Sequence, residues 1–322
     1  MFKLIYNGEN DTKARNVVFS ETIEELVQGD PSVVYLDADL MNSVSMYDFW
    51  INNPENAFNI GIAEANMMGI AGGLSAAGKK PFVHTFAPFA TRRSFDQVFL
   101  SIGYAGNSVR IFGSDPGVTA AFNGGTHMCF EDMALMRSIP EASVFDVVDN
   151  TQFKWLLKTI KDKKGISYFR SSRQITPKVY HEDSTFEIGK GNLLKDGTDL
   201  TIIACGIMVV EALEAAKLLE KENIYARVID MFTVKPIDVE IIIESAQKTE
   251  AIVTVENHNV IGGLGDAVSS VLSQNCPTRL MKHGVQDRFG EVGSVDYLQE
   301  VYKLRAVDIV ESCKKVLNLK QC

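Results

Sequence analysis

Short runs of β-branched residues alternate with longer helical patterns along this chain. The alternation is typical of parallel sheets whose strands are joined by crossover helices, so it predicts the α/β class. In the first half, the predicted strands are 32–36, 81–85, 108–112, 142–148 and 166–170. The helices predicted in this half are about 16–28, 62–78, 91–104, 129–138 and 151–161.

A polar stretch at 174–184 interrupts the alternation and predicts a connection between two domains, 1–180 and 186–322. Beyond the connection, strands are predicted at 200–206, 226–231 and 251–255, with one helix ending at 221 and another near 239–247. The turn Gly262-Gly263-Leu264-Gly265 then opens a helix. It either faces an anion or allows tight packing, and it lacks the G-x-G-x-x-G order of a nucleotide site.

Composition narrows the class of partner and the compartment. The chain has 322 residues and a formal net charge of −9, which disfavours general binding to nucleic acid. No apolar run approaches the roughly 20 residues that span a bilayer, and the first residues turn polar too early for a signal peptide. The five cysteines lack C-x-x-C spacing, which predicts reduced thiols. We therefore expect a cytoplasmic protein without nucleic-acid or membrane partners.

Glu64 is a lone acid in the apolar, glycine-punctuated segment from Asn59 to Leu74. A buried carboxylate either stays protonated with a raised pKa or pairs with another group, and the segment itself offers no partner. Such a residue is a candidate for proton transfer. The alternative is a Glu on the solvated side of an amphipathic helix.

Three further segments carry candidate ligands. Asp37-Ala38-Asp39-Leu40 ends a predicted strand, where open α/β sheets place ligands, although paired acids also occur in turns. Phe86 and Phe89 follow the next strand and could stack on a flat heterocycle or pack in the core. A long Gly- and Pro-containing loop at 113–127 ends in a histidine, which is either a ligand or structural.

Taken in order, these pieces resemble the transketolase family, specifically its pyrimidine-binding and C-terminal domains. The resemblance covers nearly the whole chain. It rests on collinear motifs: Asp37-Ala38-Asp39-Leu40, Gly61-Ile62-Ala63-Glu64-Ala65-Asn66-Met67, Thr85-Phe86 with Phe89-Ala90-Thr91-Arg92-Arg93, Gly124-Gly125-Thr126-His127 before Glu131-Asp132, Ser172-Arg173-Gln174, and Val255-Glu256-Asn257-His258 before the glycine-rich turn. Each motif alone is weak, and their order is what identifies the family.

Members of this family use thiamine diphosphate. The resemblance assigns Glu64 to the carboxyl group that hydrogen-bonds the aminopyrimidine N1′ and so promotes proton removal from the thiazolium ring. It implies that Phe89, with Phe86 as its neighbour, stacks on the aminopyrimidine. It also implies that Asp39 and Leu40 lie near the cofactor.

The resemblance also implies a sugar site. His127 is expected to hydrogen-bond donor hydroxyls or the bound two-carbon intermediate. Arg173 is expected to bind the anionic tail of the acceptor, with contributions from Ser43 and Arg15.

Two positions depart from the family pattern. Asp115 replaces the His of Gly-Ser-His, and Asn123 replaces the Asp of Glu-Asp-Gly. Asp115 repels a dianionic phosphate unless a nearby arginine compensates it, and Asn123 alters recognition of a donor hydroxyl. We therefore expect either an unusual sugar phosphate or a sugar with another anionic tail, such as a sulfonate.

The chain lacks the Gly-Asp-Gly…Asn segment with which this family binds magnesium and diphosphate. It therefore looks like one half of a split transketolase. A partner subunit is expected to supply the Mg²⁺ ligands, and an α2β2 heterotetramer is the expected assembly. Little activity is expected from the isolated chain.

Ketol transfer is the leading hypothesis, in which a two-carbon unit passes from a ketose to an aldose. One alternative is the β subunit of a 2-oxo acid dehydrogenase, which shares both domains and which the Gly-Gly-Thr-His loop disfavours. Another is a catalytically inert scaffolding subunit, which retention of Glu64 and His127 disfavours.

Overall fold

The structure is a computed structural model that describes residues 1–320. The chain forms two compact units. Unit 1 comprises Met1–Pro116, Leu135–Phe145 and Asp149–Phe186. Unit 2 comprises Gly117–Ala134, Asp146–Val148 and the described residues from Glu187 onward.

The first half of the chain alternates strands and helices as predicted. Its elements are α1 (Arg15–Gly29), β1 (Val33–Asp37), α2 (Tyr47–Asn52), β2 (Ala57–Asn59), α3 (Glu64–Ala76), β3 (Lys80–Phe86), α4 (Ala87–Ala90), α5 (Phe95–Gln97), a π-helical stretch (Val98–Tyr104), β4 (Val109–Ser114), α6 (Asp132–Ser138), β5 (Ser143–Asp146), α7 (Asn150–Ile160) and β6 (Ile166–Ser171). Short 3₁₀ segments occupy Met41–Val44 and Gly117–Asn123.

The sheet of unit 1 runs in the order β5-β6-β4-β3-β1-β2. The register is parallel from β6 through β4, β3 and β1 to β2. Every residue of β1, β4 and β6 is buried, which is typical of a parallel sheet covered on both faces. The neighbouring strands β1, β3, β4 and β6 end at Asp37, Phe86, Ser114 and Ser171, so these residues share the carboxyl edge of the sheet.

Helix α3 packs closely against the π-helical stretch. A Cβ at Gly72 would lie 2.6 Å from the carbonyl oxygen of Ser101, so only glycine allows this approach. The close packing fixes α3, whose first residue is Glu64, against the rest of unit 1.

Unit 2 contains a second sheet of five strands in the order β12-β11-β8-β9-β7, in which only β7 is antiparallel to its neighbour. The elements of this part are β7 (Asn192–Lys195), β8 (Leu200–Ala204), α8 (Met208–Glu220), β9 (Ala226–Asp230), β10 (Thr233–Lys235), α9 (Val239–Thr249), β11 (Ala251–Asn259), α10 (Leu264–Asn275), β12 (Arg279–Val285), α11 (Val295–Val301) and α12 (Ala306–Lys320).

The α/β class is confirmed, with several local differences from the predicted elements. The helix predicted at 91–104 begins only at Phe95, because Thr91 has non-helical angles (φ −112°, ψ −85°). The polar stretch at 174–184 lies within unit 1, where Pro177 and Tyr180 form β-bridges to the N-terminal segment. Among residues 1–320, no helix is long and apolar enough to cross a membrane. Of the cysteines, Cys129, Cys205, Cys276 and Cys313 are free thiols, and Cys322 lies outside the described residues.

Candidate active site

Glu64 is buried, with only 3% of its side chain exposed. The alternative of a solvated Glu is therefore wrong. Within the chain its partner is Arg93, whose Nη1 donates to Glu64 Oε1 at 2.7 Å. As the first residue of α3, the carboxylate is further stabilised by the positive end of the helix. The segment around Glu64 contains no cation, and the fold supplies one from 29 positions along the chain.

Arg93 also covers the face of an aromatic ring. Its guanidinium carbon lies 3.7 Å from the ring centroid of Phe89, within the range of a cation–π contact. Phe86 meets Phe89 edge to face, with centroids 6.2 Å apart. Phe86 is buried and Phe89 is half-buried, so Phe89 is the more exposed of the two rings.

Asp115 and Arg173 form a second ion pair at the same edge of the sheet. Nε and Nη2 of Arg173 both lie 2.6 Å from Asp115 Oδ2, and the backbone N–H of Arg173 donates to Oδ1 at 3.0 Å. Only 3% of the Asp115 side chain and 16% of the Arg173 side chain are exposed. Arg173 is therefore the compensating cation that an acid at position 115 requires.

The two ion pairs are joined through the aromatic rings. The guanidinium carbon of Arg173 lies 4.9 Å from the centroid of Phe86, the ring that meets Phe89. Arg173 Nη1 also donates to the carbonyl oxygen of Ser43 at 3.2 Å. The fold thus brings six of the predicted residues, Glu64, Phe86, Phe89, Asp115, Arg173 and Ser43, into one connected row.

A buried polar network supports the turn that carries Asp39 and Leu40. The Asp37 carboxylate accepts the backbone N–H of Leu40, and Asp37 Oδ2 lies 2.7 Å from His84 Nδ1. His84 Nε2 lies 2.9 Å from Ser114 Oγ. Asp39 itself is exposed in a left-handed conformation (φ 64°), and its Oδ1 accepts from Asn59 at 3.0 Å. Residues from three neighbouring strands thus fix this turn.

Sequence reasoning missed His84, although a histidine inside a predicted buried strand was a usable signal. Asp37, His84 and Ser114 are all fully buried, so they position the turn and do not contact solvent. Tyr35 also donates to Asp37. Burial, together with the negative charge of Asp37, raises the pKa of Tyr35 well above its usual value, so the hydroxyl stays a donor.

Arg15 does not present its guanidinium to solvent as an anion ligand would. Its side chain is fully buried and donates to Asn150 Oδ1 at 3.2 Å, to Thr176 Oγ1 at 2.7 Å and to Ser171 Oγ. These contacts tie α1 to α7 and to the segment after β6. The geometry is that of a structural arginine.

The loop that carries Asn123 and His127 belongs to unit 2. Asn123 is exposed, and the half-buried His127 has its Nδ1 at 2.9 Å from Thr126 Oγ1. Asn257 anchors the start of this loop, because its buried Oδ1 accepts the backbone N–H of Val118 at 3.0 Å. Gly117 has φ +56°, and a Cβ there would lie 2.2 Å from Asn257 Oδ1. Asn257 is thus a supporting residue that sequence reasoning did not single out.

The glycine-rich turn before α10 is closed by a carboxylate of the same chain. Glu256 is fully buried and accepts the backbone N–H groups of Leu264 and Gly265 at 2.7 and 2.8 Å. These are the donors that an anion would need at this helix terminus. Of the two interpretations of this turn, tight local packing is the one favoured by the structure.

Comparison with known proteins identifies the family. The transketolase pyrimidine-binding domain matches residues 12–178, and the transketolase C-terminal domain matches residues 189–309. The chain is 47% identical over 302 residues to the 6-deoxy-6-sulfo-D-fructose transketolase subunit SqwH of Clostridium sp. (strain MSTE9), covering 94% of each chain. It is 40% identical to a subunit of the apulose-4-phosphate transketolase of Phocaeicola vulgatus, covering 93% of this chain and 95% of that protein.

A solved structure described as a split gene transketolase, inactive beta4 tetramer, superimposes with a TM-score of 0.87 at 44% identity. The match covers 95% of this chain and 99% of that chain. The chain therefore contains both family domains, and the matched relatives align with it over nearly their whole length. The chain belongs to the transketolase family of transferases and is a subunit of the split type that carries the pyrimidine-binding and C-terminal domains.

Proposed function

We propose that this subunit, together with a partner that binds diphosphate and magnesium, transfers a two-carbon ketol unit from a ketose to an aldose. The observation that carries the proposal is a buried carboxylate, Glu64, that shares one planar cation, Arg93, with the ring of Phe89 at the carboxyl edge of a parallel sheet. Transketolase family membership implies thiamine diphosphate as the cofactor.

The residues of unit 1 fit the aminopyrimidine part of this cofactor. A flat, nitrogen-rich cation, the guanidinium of Arg93, already stacks on Phe89 and donates to Glu64. A group of that shape and polarity is what the aminopyrimidine presents. Glu64 would hold a proton at N1′, Phe89 would support the ring with Phe86 behind it, and Asp39 and Leu40 would border the site. When bound, the cofactor supplies the carbanion chemistry that breaks and forms the carbon–carbon bonds.

Sugar recognition is assigned to two groups of residues. In unit 2, His127 would hydrogen-bond donor hydroxyls and Asn123 would contact a hydroxyl of the same sugar. In unit 1, Arg173 with Asp115 and Ser43 would face the anionic tail of a sugar. Arg15 is left out of this group because it is fully buried.

The ion pair between Arg173 and Asp115 favours a sugar whose anionic tail carries a single charge. Asp115 already neutralises most of its charge, so a phosphate dianion would gain little from Arg173 and would be repelled by Asp115. A sulfonate carries one negative charge and is repelled less. The resemblance to a 6-deoxy-6-sulfo-D-fructose transketolase subunit supports this choice.

The assembly and the metal complete the proposal. We assign the Mg²⁺ ligands mainly to the partner subunit and expect an α2β2 complex. The likeness to a split gene transketolase described as an inactive beta4 tetramer supports self-association of this subunit and its need for a partner. The division into domains at 1–180 and 186–322 is supported by the two family matches. A cytoplasmic location is supported by the free thiols Cys129, Cys205, Cys276 and Cys313.

The test is reconstitution with a partner that carries the Gly-Asp-Gly…Asn segment. We expect transfer between a ketose and an aldose that requires both subunits, thiamine diphosphate and Mg²⁺. Sulfonated and phosphorylated ketoses of equal chain length should be compared as donors. Absence of transfer with every donor, or decarboxylation of 2-oxo acids with transfer to a lipoyl domain, would overturn the proposal.

A further inference from the structure

Arg93 makes the same two contacts that the proposed function assigns to the aminopyrimidine ring. It donates to Glu64 at 2.7 Å and stacks on Phe89 at 3.7 Å. A planar guanidinium suits both contacts, because it can hydrogen-bond in its plane while its face lies on a ring. One side chain thus satisfies the buried acid and covers the aromatic face.

The two partners of this ion pair differ in freedom. Glu64 is 3% exposed and fixed in the first turn of α3, whereas Arg93 is 45% exposed. Arg93 can therefore swing into water at little cost in solvation, while Glu64 cannot leave its position. A ligand that offers Glu64 another hydrogen-bond partner would replace Arg93 and leave the carboxylate where it is.

We propose that Arg93 is a further residue of the cofactor site: it holds Glu64 and Phe89 in place while the aminopyrimidine is absent, and binding of the cofactor displaces it. In a split enzyme this contact keeps the buried carboxylate compensated before the complex is loaded. The inference rests on the proposed function, since it assumes that the cofactor uses Glu64 and Phe89. Because both cannot occupy the same two partners, Arg93 weakens the apparent affinity for the cofactor.

The experiment measures binding rather than turnover. Thiamine diphosphate is titrated by calorimetry, with Mg²⁺ present, into the complex reconstituted with Arg93→Gln. We expect its Kd to fall by about three- to tenfold relative to the wild-type complex, because no competitor remains. The cofactor-free subunit should unfold at a lower temperature than wild type, while the loaded complex should unfold at the same temperature as loaded wild type.

Three further variants sharpen the result. Arg92→Gln removes the same charge one position earlier and should leave the Kd unchanged. Arg93→Lys keeps the charge without the planar group and should give an intermediate Kd. In the Glu64→Gln background, where no charge needs compensation, Arg93→Gln should have no further effect on the stability of the cofactor-free subunit.

The outcomes separate the two proposals. A wild-type complex that binds no thiamine diphosphate would contradict the proposed function. A wild-type complex that binds the cofactor, with an unchanged or weaker affinity in Arg93→Gln, would overturn the displacement of Arg93. The same tightening in Arg92→Gln would also overturn it, because general charge in this segment would then set the affinity.

Discussion

The two ion pairs of unit 1 join the same types of residue, an arginine and a buried acid, but they differ in their surroundings. In both, an arginine compensates a carboxylate that is 3% exposed. Arg173 is only 16% exposed and bonds Asp115 through its side chain and its backbone, whereas Arg93 is 45% exposed and bonds Glu64 through one nitrogen. The Asp115 pair is therefore a permanent part of the fold, and the Glu64 pair is exchangeable.

The difference in exposure shows that a buried ion pair can serve in two ways. A pair with several short bonds and little solvent access holds a segment in place, since breaking it leaves a charge uncompensated. A pair with one open partner keeps an acid ready for a ligand, since water and the ligand can both replace the arginine. The Glu64 pair is of the second kind, which is what the proton-transfer role proposed for Glu64 requires.

The largest expected effect is on turnover and tests the acid of the exchangeable pair. Glu64→Ala in the reconstituted complex should lower kcat by about 10³-fold, because a positioned proton-transfer group contributes roughly 10²- to 10⁴-fold. Assembly, measured by size-exclusion chromatography, should remain close to wild type. Survival of activity within a few-fold would show that Glu64 does not handle the proton.

The next largest effect is on stability and tests the permanent pair. Arg173→Met should lower the free energy of unfolding by about 3 kcal/mol, because it leaves Asp115 buried without a cation. Urea unfolding of the isolated subunit measures this. Adding Asp115→Asn should recover part of the loss, since no charge then needs compensation. An effect below that of Arg93→Met would reverse the ranking of the two pairs.

Substrate choice should change when the permanent pair is altered. Asp115→His should raise kcat/KM for a phosphorylated ketose relative to its sulfonated counterpart by about tenfold, which corresponds to about 1.4 kcal/mol. The reason is that the acid that repels the dianion is gone and Arg173 is released. Asp115→Asn, which removes the charge without adding a donor cation, should give a smaller shift in the same direction. An unchanged ratio of the two kcat/KM values would show that the anionic tail of the sugar does not bind at Asp115 and Arg173.

An effect on substrate binding of similar size is expected from His127, which lies outside both ion pairs. His127→Ala should raise the KM for the ketose donor by about fivefold, with the Kd for thiamine diphosphate unchanged, because it removes one sugar hydrogen bond. Thr126→Val, which removes the hydroxyl beside Nδ1 but keeps the ring, is the matched variant and should have a weaker effect. If neither variant changes donor response, His127 is not in the sugar site.

The smallest effect concerns salt. Arg93→Met should lower the free energy of unfolding by less than about 1 kcal/mol. This loss should shrink as NaCl rises from about 0.05 to 1 M, because salt screens the solvent-exposed pair of Arg93 and Glu64. The loss in Arg173→Met should depend less on salt. Equal salt dependence in the two variants would show that their exposure does not distinguish them.

Much of the fold could be predicted from the sequence because its strands are continuous buried runs. The predicted strand 166–170 became β6 (Ile166–Ser171), and 81–85 became β3 (Lys80–Phe86). The three-residue strand β2 and the six-residue helix α2 were missed, because elements this short contain too few residues to show a period.

The site was only partly predictable for a related reason. Local sequence identified the residue types at the strand ends, since Asp39 and Phe86 follow predicted strands. It could not identify partners that are distant in the sequence, such as Arg93 for Glu64 or Asn257 for Val118, because separations of 29 and 139 residues leave no local pattern.

By itself, the sequence determined the α/β class and the family and supplied the candidate site residues, since strand periods and collinear motifs are local properties. Only the tertiary structure decided which charges compensate each other and how firmly. Compensation depends on distance and solvent access, and these are set where neighbouring strands end together at one edge of a sheet. Glu64 is thus an acid with a replaceable partner, and Asp115 is an acid with a fixed one.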